Sequence, residues 1–270
     1  MKKFENTLII SDIDGTLVDY SFKLSEENKA AARYFMDNGG TFTYATGRQM
    51  PVAQSIIDQL FPNAPVICYN GAAIYDYSKN KYLWFSPLDT SVFDIIPDIV
   101  KNCPEANIEI NTPDGLFLIT DIPGNMKRYK QLSELFKKVD SASDVPQPWL
   151  KIVCAMSDDY MPVVRGYFEN QPFFKDFQFS QSASWLYELL PFGVNKGTAL
   201  PRLKELLDGK HKIIAIGDNE NDIEFLKAAD IGFAVADGSP LLLDRCENRT
   251  VALHEHALVD IVEKLDKGLI

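Results

Sequence analysis

Leu8-Ile9-Ile10-Ser11-Asp12-Ile13-Asp14-Gly15-Thr16 is the stretch on which the fold turns: an apolar run that reads as a buried strand, ending in two carboxylates two residues apart. Carboxylates at the end of such a strand can hold a metal, attack phosphorus or shuttle a proton. The pair alone is weak, because a chain with 38 acidic side chains in 270 residues should carry about one such spacing by chance at ordinary compositions. Its surroundings decide what it means.

Strand and helix signals alternate on either side of it. Residues 25–38 read as a helix that Ser25 can cap and Gly39-Gly40 can end, followed by a strand at 41–45, a helix at 51–60 and a short strand at 66–69. The same grammar returns late, with helices at 196–207 and 221–228, strands at 212–216 and 231–235, and a terminal helix at 257–265 whose stripe is Leu258, Ile261, Val262 and Leu265. Pro201 interrupts the first of those helices. Between the two blocks the pattern changes to short alternating runs, such as Ile108-Glu109-Ile110 and residues 116–120, with helical stretches at 91–100 and 127–139. The expected fold is therefore α/β: a Rossmann-like parallel-sheet core formed by residues 1–85 and 185–270, split by an inserted α+β domain at 86–184.

Composition narrows the function classes. Hydrophobic content of 46% with 24% charged residues is ordinary for a globular chain. A net charge of −11 counts against nucleic acid, whose binding relies on clustered Lys and Arg. No run of eighteen or more apolar residues exists, which excludes an apolar membrane span. Glu5, Asn6 and Asp12 interrupt the apolar segment that an export signal would need after Met1-Lys2-Lys3. Cys68, Cys103, Cys154 and Cys246 are too scattered for a disulfide frame or zinc site, so the cytoplasm is the expected compartment.

In a parallel α/β sheet the loops at the carboxyl ends of the strands converge on the ligand. Here those loops carry Asp12 and Asp14, Thr46-Gly47-Arg48, Asn70-Gly71 and Gly217-Asp218-Asn219-Glu220-Asn221-Asp222, with Lys196 opening a helix beside them. Singly, each has an ordinary reading: a solvated strand end, a helix cap, an Asx turn or a surface lysine. Together they supply a nucleophile, a metal cage, oxygen-binding donors and a proton shuttle, the parts of phosphoryl transfer. His254-Glu255-His256 lacks further ligands and reads as a helix start.

With these segments in this order, the chain resembles the haloacid dehalogenase (HAD) superfamily, and within it the Cof-type phosphatases. Asp12-Ile13-Asp14-Gly15-Thr16 matches the first motif, Thr46 the second, Lys196 the third and Gly217-Asp218 through Asp222 the fourth, while the middle domain falls where such enzymes insert an α/β cap. The resemblance implies a nucleophile at Asp12, a general acid and base at Asp14, and magnesium on Asp12, the Asp14 carbonyl and Asp218, with Asp222 orienting the site from behind. It further implies that Ile13, Thr46, Gly47, Arg48, Asn70, Gly71, Lys196 and Asn221 surround the substrate and its phosphate. Arg48 also reads as a partner for an acidic neighbour. The implied function is a magnesium-dependent phosphatase for small phosphorylated metabolites, sugar phosphates first, with no obligate protein partner. A phosphomutase, a phosphoryl-accepting signalling module and a non-catalytic sugar-phosphate sensor are the competing readings. Asp114-Gly115, Arg128, Lys130, Trp84, Trp149, Trp185 and Tyr187 are cap or rim positions that could contact the leaving group, core packing being the simpler reading for any one aromatic.

Overall fold

A computed structural model describes residues 2–19, 21–122 and 133–270. The chain divides into two compact units, Met1–Trp84 with Asn195–Ile270, and Phe85–Val194.

The first unit is built on five parallel strands, β1 (Thr7–Ser11), β2 (Thr41–Tyr44), β12 (Lys212–Gly217), β13 (Ile231–Ala234) and β14 (Asn248–Arg249), in the order β14-β13-β12-β1-β2. Leu8, Ile9 and Ile10 of β1 are fully buried, as an interior strand of a parallel sheet requires. Helix α1 (Glu26–Asp37) starts where Ser25 Oγ accepts from the Asn28 amide at 3.2 Å. It packs beside the terminal helix α8 (Ala257–Asp266), and the buried Asn28 side chain accepts from the Leu258 amide at 3.1 Å, closing one orphan donor of α8. The remaining helices of the unit are α2 (Met50–Ile57), α5 (Lys196–Leu206), α6 (Ile223–Ala228) and α7 (Pro240–Arg245). Leu200 and Leu203 of α5 with Phe225 and Leu226 of α6 join Leu8, Ile10, Ile213 and Ala215 in one apolar cluster. Each such leucine or phenylalanine contributes roughly 1.5–3 kcal/mol by burial. Pro201 is accommodated inside α5 without ending it.

Two features of this unit depart from the sequence reading. Residues 66–85 form a three-stranded sheet of β3 (Val66–Cys68), β4 (Ala73–Asp76) and β5 (Lys81–Phe85), tied to the main sheet by a parallel bridge between Ala45 and Ile67. The β4 and β5 strands were not anticipated. The helix expected at 221–228 opens instead as a 3-10 turn at Glu220–Asp222 before α6, because the Asp222 carboxylate is drawn back to the Asp218 and Asn219 amides at 3.1 and 3.2 Å.

The second unit is a six-stranded sheet, β6 (Asn107–Thr112), β7 (Gly115–Leu118), β8 (Phe136–Lys138), β9 (Lys151–Ala155), β10 (Phe177–Ala183) and β11 (Leu186–Pro191), in the order β10-β11-β9-β6-β7-β8. All neighbours are antiparallel except β7 and β8. Period-two alternation places Ile108, Ile110, Ile152, Cys154, Tyr187 and Leu189 in one cluster with α3 (Val92–Asn102) and α4 (Met161–Glu169), which contribute Ile96, Ile99, Val164 and Phe168. Trp149 and Tyr187 are buried in that cluster, the packing reading of these aromatics.

The expected core segment 185–270 begins too early, since Leu186–Pro191 is a strand of the second unit's sheet and the first unit resumes at Asn195. Its run of Leu186, Tyr187, Leu189 and Leu190 offers buried side chains to both faces of that sheet. The helix expected at 127–139 is also corrected where it can be seen: residues 133–138 are a 3-10 turn and the edge strand β8, whose Lys137 and Lys138 suit an exposed edge. Residues 127–132, including Arg128 and Lys130, lie outside the described residues. All four cysteines are free thiols. Among the described residues no helix is long and apolar enough to cross a membrane.

Candidate active site

The site grows from the carboxyl ends of β1, β2 and β12. Asp12 follows β1 directly, fixed there by its amide donating to the Ile216 carbonyl at 2.9 Å. The residue is 5% exposed, and its carboxylate lies against Lys196, whose Nζ donates to Asp12 Oδ1 at 2.6 Å and to Asp222 Oδ1 at 2.7 Å. Lys196, 1% exposed, is the first residue of α5, whose start is fixed by a capping box in which Asn195 Oδ1 and Thr198 Oγ1 each accept the other residue's amide at 3.0 Å. Asp222 is fully occupied, with one oxygen on Lys196 and the other accepting the two amides named above.

Asp218 completes the acidic group. Ligand atoms of Asp12, Asp218 and Asp222 lie within 4.8 Å of one another, the metal-capable cluster found among the described residues. Thr16 Oγ1 donates to Asp218 Oδ1 at 3.0 Å. Gly15 makes that approach feasible: its φ is +77°, and a Cβ there would lie 2.2 Å from Asp218 Oδ2. The sequence signals this role of Thr16 only through the spacing Asp12-x-Asp14-Gly15-Thr16.

The second and third loops interlock behind these carboxylates. Buried Thr46 takes the Ile67 carbonyl on its amide at 2.9 Å, its own carbonyl accepts from the Asn70 amide at 3.0 Å, and its Oγ1 accepts from the Arg48 amide at 3.1 Å. Asn70 adopts a left-handed backbone, φ 53° and ψ 34°, and its Oδ1 accepts from Asn221 Nδ2 at 3.1 Å, joining the β3 and β12 loops. Gly71, at φ +99°, passes so close to α5 that a Cβ would lie 2.1 Å from the Asn195 carbonyl oxygen. Gly47 lies beside the Asn70 amide group. Ile13 is fully buried between the two acidic residues, and its carbonyl accepts the Leu17 and Val18 amides at 2.9 and 3.0 Å, closing the turn. Asp14 and Arg48 meet away from Lys196, with Nε and Nη2 donating to the two carboxylate oxygens at 2.6 Å each.

Burial dominates the electrostatics. It pushes the Asp12 carboxyl up to about 7; Lys196 opposes that rise, and repulsion from Asp222 and Asp14 adds to it. Asp218 is raised for the same reasons, by burial first and then by Asp12 and Asp222. Burial would depress the Lys196 ammonium, but Asp12 and Asp222 outweigh it and hold the lysine protonated. Three carboxylates thus face one ammonium, leaving two negative charges uncompensated when all are ionised. A hard divalent cation with oxygen ligands fits that deficit.

The chain belongs to the haloacid dehalogenase-like hydrolases, whose family pattern matches residues 9–262. The phosphatase for 5-amino-6-(5-phospho-D-ribitylamino)uracil named YitU, of Bacillus subtilis, is 23% identical over 253 residues, covering 92% of this chain and 93% of its own. An HMP-PP phosphatase of Serratia proteamaculans is 26% identical, covering 89% and 91%. In fold, a haloacid dehalogenase-like hydrolase from Bacteroides thetaiotaomicron superposes with a TM-score of 0.80 at 19% identity, covering 97% of this chain and all 100% of that one. The α/β architecture and the family resemblance read from the motifs are both borne out; the protein is a hydrolase of this family.

Proposed function

We propose that the protein is a magnesium-dependent phosphatase of small phosphorylated metabolites that works through an aspartyl-phosphate on Asp12. The observation that carries this reading is the buried Asp12 carboxylate at the end of the interior strand β1, gripped by a lysine shared with Asp222 and within metal-ligating distance of Asp218. Two relatives are named as phosphatases with different substrates, which supports the reaction class and leaves the substrate open. Sugar phosphates are the first class to test.

In the first step Asp12 attacks phosphorus, the bond to the leaving oxygen breaks, and the Asp14 carboxyl gives that oxygen its proton. In the second step Asp14 takes a proton from water, the resulting oxygen attacks phosphorus, and Asp12 leaves with its carboxylate restored. Asp12 and Asp218, with the Asp14 carbonyl, would hold magnesium, which when bound neutralises charge between nucleophile and phosphate. Lys196 favours the ionised form of Asp12 against the effect of burial and holds its carboxylate in place, and its cationic head is available to a phosphoryl oxygen. Asp222 orients Lys196 from behind. Thr46, the amides of Ile13 and Gly47, and Asn221 supply further donors, which Asn70 and Gly71 hold in place by the loop contacts described above.

Phosphate release from para-nitrophenyl phosphate and a panel of phosphorylated metabolites, with and without magnesium, tests the proposal. Sustained release that is abolished in Asp12→Ala is expected. Stoichiometric labelling without turnover, or conversion of a phosphosugar to its isomer without free phosphate, would overturn it.

A further inference from the structure

The Asp14–Arg48 contact is more elaborate than an ion pair at a loop tip needs to be. The guanidinium meets the carboxylate side-on, Nε to Oδ2 and Nη2 to Oδ1. Its third nitrogen, Nη1, faces the Val52 carbonyl at 3.4 Å, so each of the three nitrogens has an acceptor within the protein. Behind it the Phe22 ring supports the cation at 4.7 Å from the ring centre. Phe22 is itself pinned: Gln59 Nε2 donates to its carbonyl at 2.9 Å, and Gln59 Oε1 accepts from the Leu24 amide at 3.0 Å. The Arg48 backbone is tied at both ends, its amide to Thr46 Oγ1 and its carbonyl to the Tyr69 amide, each at 3.1 Å.

The Asp14 side chain is 48% exposed and that of Arg48 only 18%. A half-exposed ion pair adds little to folding, so stability is a poor account of so much bracing. Orientation is a better one. An exposed aspartate rotates freely about two bonds, whereas a two-point fork fixes both its direction and the plane of its oxygens.

We propose that Arg48, braced on Phe22 and Val52, is a positioning residue that sets the direction of the Asp14 carboxyl toward the leaving oxygen and the attacking water. This rests on the reading of Asp14 as the proton-moving group. Lysine cannot replace the fork, because a point charge satisfies one oxygen and leaves the plane free.

The test is steady-state hydrolysis of para-nitrophenyl phosphate by the full chain with saturating magnesium at one fixed pH. Arg48→Ala should lower kcat by about 100-fold, the scale of a misplaced catalytic group, with KM and melting temperature nearly unchanged. Arg48→Lys should recover little of that loss, and Phe22→Leu should lower kcat by a smaller factor. The decisive comparison is the double variant: Asp14→Asn with Arg48→Ala should be no slower than Asp14→Asn alone, because the arginine acts through that carboxyl. Multiplying losses in the double variant, or a raised KM with kcat intact, would overturn the proposal and assign Arg48 to the substrate. Full activity in Asp14→Asn alone would instead sink the reading of Asp14 itself, a distinguishable result.

Discussion

At the scale of single residues, Asp12 and Asp14 stand two positions apart yet occupy opposite environments, one buried against Lys196 and the other half exposed against Arg48. Different tasks follow from different surroundings. Asp14→Asn should keep magnesium affinity within a few-fold while slowing turnover by about 10²–10⁴, the usual range for an acid/base group; isothermal calorimetry beside steady-state kinetics checks both halves. Gly15→Ala should weaken magnesium binding at least tenfold, since a side chain at φ +77° collides with the Asp218 carboxylate. Unaltered affinity in a magnesium titration would show that the contact is relaxed at no cost. Lys196→Met strands two buried carboxylates, and urea unfolding of the metal-free protein should show a loss of about 3–5 kcal/mol, the penalty for removing one partner of a buried charge cluster.

Elements matter here chiefly for where they begin. Helix α5 delivers Lys196 as its first residue, so its cap is also a device for placing the ammonium. Asn195→Ala should cost about 1 kcal/mol, typical of a lost N-cap, and should lower kcat through the loosened lysine; chemical denaturation and kinetics measure the two effects separately. The core helices and strands were largely legible, because β1 is a continuous apolar run and α1 and α8 carry caps or stripes of the right period. The β4 and β5 strands were missed because residues 73–85 mix tyrosines, charges and turn residues without a clean alternation. Residues 136–138 were read as helix since two lysines and two apolar neighbours fit either period, and pairing with β7 decided the outcome.

For the whole molecule, the acidic cluster links metal, proton and stability. Asp12 has its folded value raised from 3.8 to about 7, so below about 4 its protonated form supports the metal-free fold and that support is lost as pH rises through 7. The proposed magnesium ion would act against that loss by favouring the ionised carboxylates. The thermal stabilisation from saturating magnesium should therefore be larger at pH 8 than at pH 5.5, and binding near neutrality should release protons. Scanning calorimetry at the two pH values, and titrations in buffers of different ionisation enthalpy, check this; stabilisation independent of pH would count against the raised carboxyls.

The sequence by itself determined the chemistry that could be assembled: a strand ending in Asp12-x-Asp14, loops bearing Thr46, Asn70 and Asp218 to Asp222, and a helix opening at Lys196. Those signals are local, because strand ends, caps and turns are written within a few neighbouring residues. Only the tertiary structure decided which groups meet. Lys196 bonds Asp12 across 184 positions and Asp222 across 26, Thr16 reaches Asp218 across 202, and Arg48 chooses Asp14 across 34. The parallel order β12-β1-β2 brings those loops to one end of the sheet, and burial there makes three carboxylates compete for one lysine. No local pattern encodes that competition, because it arises from desolvation and charge shared among residues that are distant along the chain.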